Sequence, residues 1–131
     1  MKLLRVVIFA VITFSMSCGS NSKPNLTGNW TFSAHSAAFN LTYSGSAIIQ
    51  ENNDSLTGKM TLTGSPCATA TNLQGSVTNN NITLQEWTPE TFTTIATLTG
   101  TISQSSLSGN FYSPYAGCPN GDFGTWTATK H

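Results

Sequence analysis

The sequence predicts an all-β domain: a single antiparallel up-and-down meander of eight or nine short strands, closed into a barrel or, alternatively, split into a two-sheet sandwich. Three observations predict it. Leu26-Thr27-Gly28-Asn29-Trp30 sets a pattern that returns at Leu56-Thr57-Gly58-Lys59-Met60, Leu73-Gln74-Gly75-Ser76-Val77, Leu98-Thr99-Gly100-Thr101-Ile102 and Leu107-Ser108-Gly109-Asn110-Phe111. Large apolar residues and glycines share one parity and Thr, Ser, Asn and Lys take the other, the period of a half-buried strand. The segments between these copies are short and rich in Asn, Ser, Gly and Pro, as hairpin connections are. Charged residues make up only 8% of the 131, and no helical periodicity follows residue 25.

Taken in order, the first strand is expected over Leu26 to Phe32. The next runs over Ala37 to Tyr43, with Phe39, Leu41 and Tyr43 on one side. Ser44-Gly45-Ser46 is read as a turn into Ala47 to Gln50, and Asn52 to Ser55 as a turn into Leu56 to Thr63. Asn79-Asn80 joins Leu73 to Thr78 with Ile82 to Trp87, because paired Asn tolerates the positive φ of a tight hairpin. Thr88-Pro89-Glu90 makes a corner before Thr91 to Ser103, one long or bulged strand. Gln104-Ser105 turns into Ser106 to Ser113, and Phe123 to Lys130 ends the sheet. Asp122-Phe123-Gly124-Thr125-Trp126 is a sixth copy of the pattern with an acid in the inward place; a turn or capping role is expected of it.

Ahead of this domain, Met1 to Ser17 has Lys2 and Arg5, then the apolar run Val6 to Phe14, then small residues before Cys18. That is the form of an export signal, and the apolar run is too short to span a bilayer core of about 30 Å. Ser15-Met16-Ser17-Cys18-Gly19 resembles the lipobox of bacterial lipoproteins, which implies lipid on Cys18, and Gly19 after it implies the outer membrane. Cleavage after Ser17 without lipid, giving a secreted or periplasmic protein, is the alternative. The expected organisation is therefore signal peptide 1–17, flexible tether 18–25, and domain 26–131. In the mature part Lys23, Lys59 and Lys130 stand against Glu51, Asp54, Glu86, Glu90 and Asp122, a balance of about −2 with no basic patch, so nucleic acid is not an expected partner.

Barrel closure is favoured over a sandwich because it removes exposed sheet edges. Gly28-Asn29-Trp30 in the first strand matches Gly124-Thr125-Trp126 in the last, and a closed meander makes those strands neighbours. The Gly-x-Trp at the first strand resembles the signature of lipocalins and the wider calycin group, and Leu-Thr-Gly-x-Trp is similar to avidin-like barrels. The resemblance implies a lipocalin-like barrel with a small ligand, and would set Lys130 where lipocalins place an Arg against that Trp.

Three cysteines leave one over, which resolves if Cys18 takes lipid and Cys67 pairs with Cys118. Both lie beside a proline in a loop, and a bridge enclosing about 50 residues contributes about 4 kcal/mol in the chain-entropy model. Free thiols or a metal pair are the alternatives. No catalytic constellation is present: His35 is expected in the loop after the first strand, and His131 is the last residue. Glu86 and Glu90 flank the Trp87-Thr88-Pro89 corner, where a carboxylate pair for a glycoside or for calcium is conceivable and hairpin-end charges are the plainer reading. No enzyme activity, cofactor or metal is expected. The functional expectation is a monomeric binding module held to the membrane by its N-terminal lipid, taking a small apolar or saccharide ligand through Trp30, Trp87, Tyr112, Tyr115 and Trp126. The alternative is a structural or adhesion module of the envelope whose interior is filled.

Overall fold

The computed structural model describes residues 22–131; Cys18, the expected signal and the first part of the tether lie outside the described residues. Eight strands follow one another: β1 (Gly28–Ser36), β2 (Leu41–Asn52), β3 (Ser55–Thr63), β4 (Ala70–Thr78), β5 (Asn81–Trp87), β6 (Thr94–Ser103), β7 (Ser106–Ser113) and β8 (Asp122–Lys130). Each pairs antiparallel with the next, and β1 pairs with β8, so the sheet closes into an up-and-down barrel. Along the strands buried residues alternate with exposed ones, save at the start of β6 where Ile95 and Ala96 are both buried, so Trp30, Met60, Leu73, Leu98, Leu107 and Trp126 fill the interior while Thr, Ser and Asn coat the wall.

Two strand assignments need correction. Ser44-Gly45-Ser46 is not a turn: β2 runs unbroken from Leu41 to Asn52, and the turn lies at residues 37–40. Gly45 sits mid-strand because a Cβ there would collide with the Thr61 carbonyl oxygen of β3; it marks a close approach of two backbones. The first strand begins at Gly28 rather than Leu26 and runs on to Ser36, which places His35 in β1, exposed and bonded through Nδ1 to the Thr42 hydroxyl at 3.2 Å. The expected bulge in the sixth strand is present, with Glu86 opposite Ala96 but Trp87 opposite Thr94, and β6 starts at Thr94.

The two ends of the barrel differ. At one end, two-residue turns at 53–54, 79–80 and 104–105 connect the strands, with Asn53, Asn79 and Gln104 at positive φ. Leu26, fully buried, plugs this end; its N–H donates to Glu51 Oε2 at 2.8 Å and its carbonyl accepts from Trp30 Nε1 at 3.0 Å. Lys130 is the cross-strand partner of Trp30 and donates from Nζ to the Asn25 carbonyl at 2.7 Å, while Lys23 pairs with Glu51 and Asp54 at 2.6 and 2.8 Å. The stretch from Lys23 to Leu26 is thus tied to the barrel base. The other end carries the longer loops, 37–40, 64–69, 88–93 and 114–121.

Candidate functional site

The loop end is built in three parts. Beneath the loops, strand after strand ends inward on a polar residue: Ser36 of β1, Thr71 of β4, Glu86 of β5, Ser113 of β7 and Asp122 of β8, all buried. Tyr43 of β2 belongs to the same level and feels both carboxylates, its hydroxyl pushed up first by burial and then by Asp122 and Glu86. Asp122, expected in a turn or capping role, is instead a buried inward residue of β8: Oδ1 accepts from the Ser36 hydroxyl at 2.6 Å and from the Phe123 N–H at 2.8 Å, and Oδ2 has no partner among the described residues. Ser113 donates to the Ile95 carbonyl. Glu86 has only a long bond from the Thr71 hydroxyl, 3.4 Å, and burial pushes its carboxyl up to about 7.

Across the mouth lies the disulfide. Cys67 in the β3–β4 loop and Cys118 in the β7–β8 loop are joined, with Cα atoms 4.6 Å apart. In an eight-stranded ring those two loops stand four strands apart, so the bridge straps one side of the opening to the other. The 114–121 loop is seated on the β6 bulge, where Gly117 leaves no room for a Cβ against the Ile95 backbone.

Around the outside of the same end are exposed aromatic rings. Of the five large apolar side chains exposed among the described residues, Phe92, Tyr112, Tyr115 and Phe123 are here, and only Ile48 is elsewhere. Tyr112, 60% exposed, is the cross-strand partner of Phe123, so their outward rings stand side by side on β7 and β8. Tyr115, 77% exposed, lies in the following loop with its ring over Gly121. Trp87 at the end of β5 is half-buried and stacks on Phe92, ring centroids 5.5 Å apart and planes 11° from parallel; its Nε1 has no partner.

The expected ligand residues therefore separate into two groups. Trp87, Tyr112 and Tyr115 all lie at the loop end, as do Phe92, stacked on Trp87, and Phe123, opposite Tyr112. Trp30 and Trp126 are 1% and 2% exposed and belong to the packed interior, Trp126 stacked on Phe32 at 5.9 Å. The interior space that they line with Met60, Leu73 and Leu98 amounts to about 10 Å³. A pocket for a small organic ligand is about 300 Å³ or more, so the interior is full. A solvent-open, mostly apolar groove of about 330 Å³ lies on the outer wall between Ile48 and Lys59. Glu86 and Glu90 do not form a pair: the first points into the barrel and the second stands exposed in the loop. Among the described residues no group of three or more His, Cys, Asp or Glu is placed to hold a metal ion.

The polar layer as a layer was not read from the sequence, which singled out Asp122 as an inward acid and Glu86 only as half of a carboxylate pair. The signal was present: carrying each strand's inward parity one step further, from Trp30, Phe32 and Ala34 or from Ile82 and Leu84, lands on Ser36 and Glu86.

Comparison with known proteins adds the fold. No protein-family model matches the chain, and no curated protein does either. A solved structure, that of EF1p2_mFAP2b bound to DFHBI, is similar with a TM-score of 0.60 and 11% identity, over 81% of this chain and 94% of that one. The likeness is one of fold alone, in keeping with the closed antiparallel β-barrel.

Proposed function

We propose that this chain is a non-enzymatic, exported envelope module that binds a saccharide on the aromatic rim at its loop end, outside a closed barrel. The observation that carries this reading is the concentration of exposed rings: all four among the described residues lie at one end, on adjoining strands and loops, above an interior of about 10 Å³. Exposed apolar surface gathered in one place marks an interaction site, and aromatic faces accept the C–H face of a sugar ring. The disulfide suits an oxidising compartment. A lipid on Cys18 would complete the arrangement, because Lys23 is bonded to the base of the barrel. Five residues separate the two positions, a reach of at most about 18 Å, so the base faces the membrane and the rim faces away from it.

The second reading is a structural or adhesion module, and the full interior is the observation that favours it. Titration calorimetry against a panel of neutral and charged oligosaccharides separates the two. Binding that is lost in Tyr112→Ala and Tyr115→Ala, with melting temperature unchanged, supports the rim; no binding to any glycan leaves the structural role.

A further inference from the structure

The charges beneath the rim narrow its ligand, an inference that rests on the rim reading above. Glu86 and Asp122 lie in the buried layer and Glu90 is exposed in the β5–β6 loop, whereas the described lysines are elsewhere. Lys23 and Lys130 are bonded at the short-turn end and Lys59 is midway along β3. At the base, the Lys23 ammonium neutralises Glu51 and Asp54 directly. At the loop end the three acids have no lysine or arginine beside them among the described residues, and the single imidazole there, His35, faces outward to Thr42.

Asp122 adds an independent observation at this end, a buried acceptor left unsatisfied. Its side chain is 1% exposed and Oδ1 is fully engaged, yet Oδ2 meets no hydrogen-bond donor among the described residues. Native proteins rarely leave a buried carboxylate oxygen without a partner. Both buried orphans among the described residues, Asp122 Oδ2 and Trp87 Nε1, belong to this end.

We propose that the rim takes a saccharide bearing free ammonium groups, an amino sugar, and discriminates against neutral and anionic glycans. The apolar face of the sugar lies on the Tyr112 and Phe123 rings, and the ammonium groups are drawn by Glu90 and by Asp122 in the layer below. Aromatic faces attract an ammonium in the same sense, through the negative face of the ring. The Trp87 and Phe92 pair offers a second such face two residues from Glu90.

The test compares a glucosamine tetramer with an N-acetylglucosamine tetramer at low ionic strength. The ammonium-bearing tetramer is expected to bind about tenfold more tightly or better, with the advantage shrinking at about 0.5 M salt as charges are screened within a few ångströms. Glu90→Gln, an exposed change that leaves the fold alone, reduces the preference; Asp122→Asn, if it folds, reduces it further; Tyr112→Ala weakens both ligands. Equal or tighter binding of the N-acetylated tetramer overturns the inference and leaves the rim reading standing. Binding of neither overturns both. A preference untouched by Glu90→Gln and by Asp122→Asn shows that the ammonium is recognised elsewhere, and likewise overturns it.

Discussion

Glu86 is a carboxyl that the fold takes almost wholly out of water. It is buried at the end of β5 between Leu73 of β4 and Ala96 of β6 and faces the Thr71 hydroxyl; Tyr43 of β2 feels its charge, and no lysine or arginine among the described residues approaches. Its carboxyl titrates at about 7 in the folded protein against an ordinary 4.5, so the fold prefers the protonated form. Stability from this group is complete below about pH 4.5 and is lost as pH rises to about 7, by roughly 3 kcal/mol. Thermal unfolding followed from pH 4 to 8 shows that slope in the native protein and loses most of it in Glu86→Gln. A residue-scale prediction also attaches to Gly124, where a Cβ would collide with the His35 carbonyl oxygen and crowd Phe111 at 2.9 Å. Gly124→Val is expected to cost several times the roughly 1 kcal/mol spread of strand propensity, while Thr125→Val, on the outer wall, stays within about 0.5 kcal/mol in urea unfolding. Parity made the inward glycines and Asp122 legible. It did not show that Asp122 Oδ2 lacks a partner or that Glu86 is dry, because those follow from which strand ends meet under the loops.

At the scale of elements, what was legible depended on which signal a residue carries. Asn79-Asn80 and Asn52 to Ser55 were read correctly as turns because asparagine tolerates positive φ, and Asn53 and Asn79 adopt it. Ser44-Gly45-Ser46 has the same composition as a turn, yet its glycine answers to a neighbouring strand that sequence alone does not reveal. The Cys67–Cys118 bridge was legible as a pairing of loops, while its position as a strap across the mouth required the strand order. Removing it by Cys67→Ser with Cys118→Ser is expected to lower stability by about 4 kcal/mol and to raise amide exchange first in residues 64–69 and 114–121. Uniform loss of protection throughout the barrel would instead show that the strap holds no local structure.

For the molecule as a whole, closure of the barrel was legible from the Gly-x-Trp patterns of the first and last strands, and β1 does lie against β8, Ala34 opposite Trp126. The fullness of the interior was not, since Trp30, Met60 and Trp126 line a packed core and a ligand chamber equally well on paper. The anchor reading predicts that Cys18→Ser moves the protein from the detergent phase to the aqueous phase, with retention in detergent as the contrary result. The placement of the ligand is tested most directly by the three indole N–H resonances during saccharide titration. Trp30 Nε1 is bonded to the Leu26 carbonyl and Trp126 Nε1 to the Thr99 and Asn110 carbonyls, whereas Trp87 Nε1 has no partner at the rim. A saccharide on the rim shifts the Trp87 signal and leaves the other two in place. Movement of the Trp30 and Trp126 signals with Trp87 unchanged would place the ligand inside the barrel and contradict the rim as the binding surface.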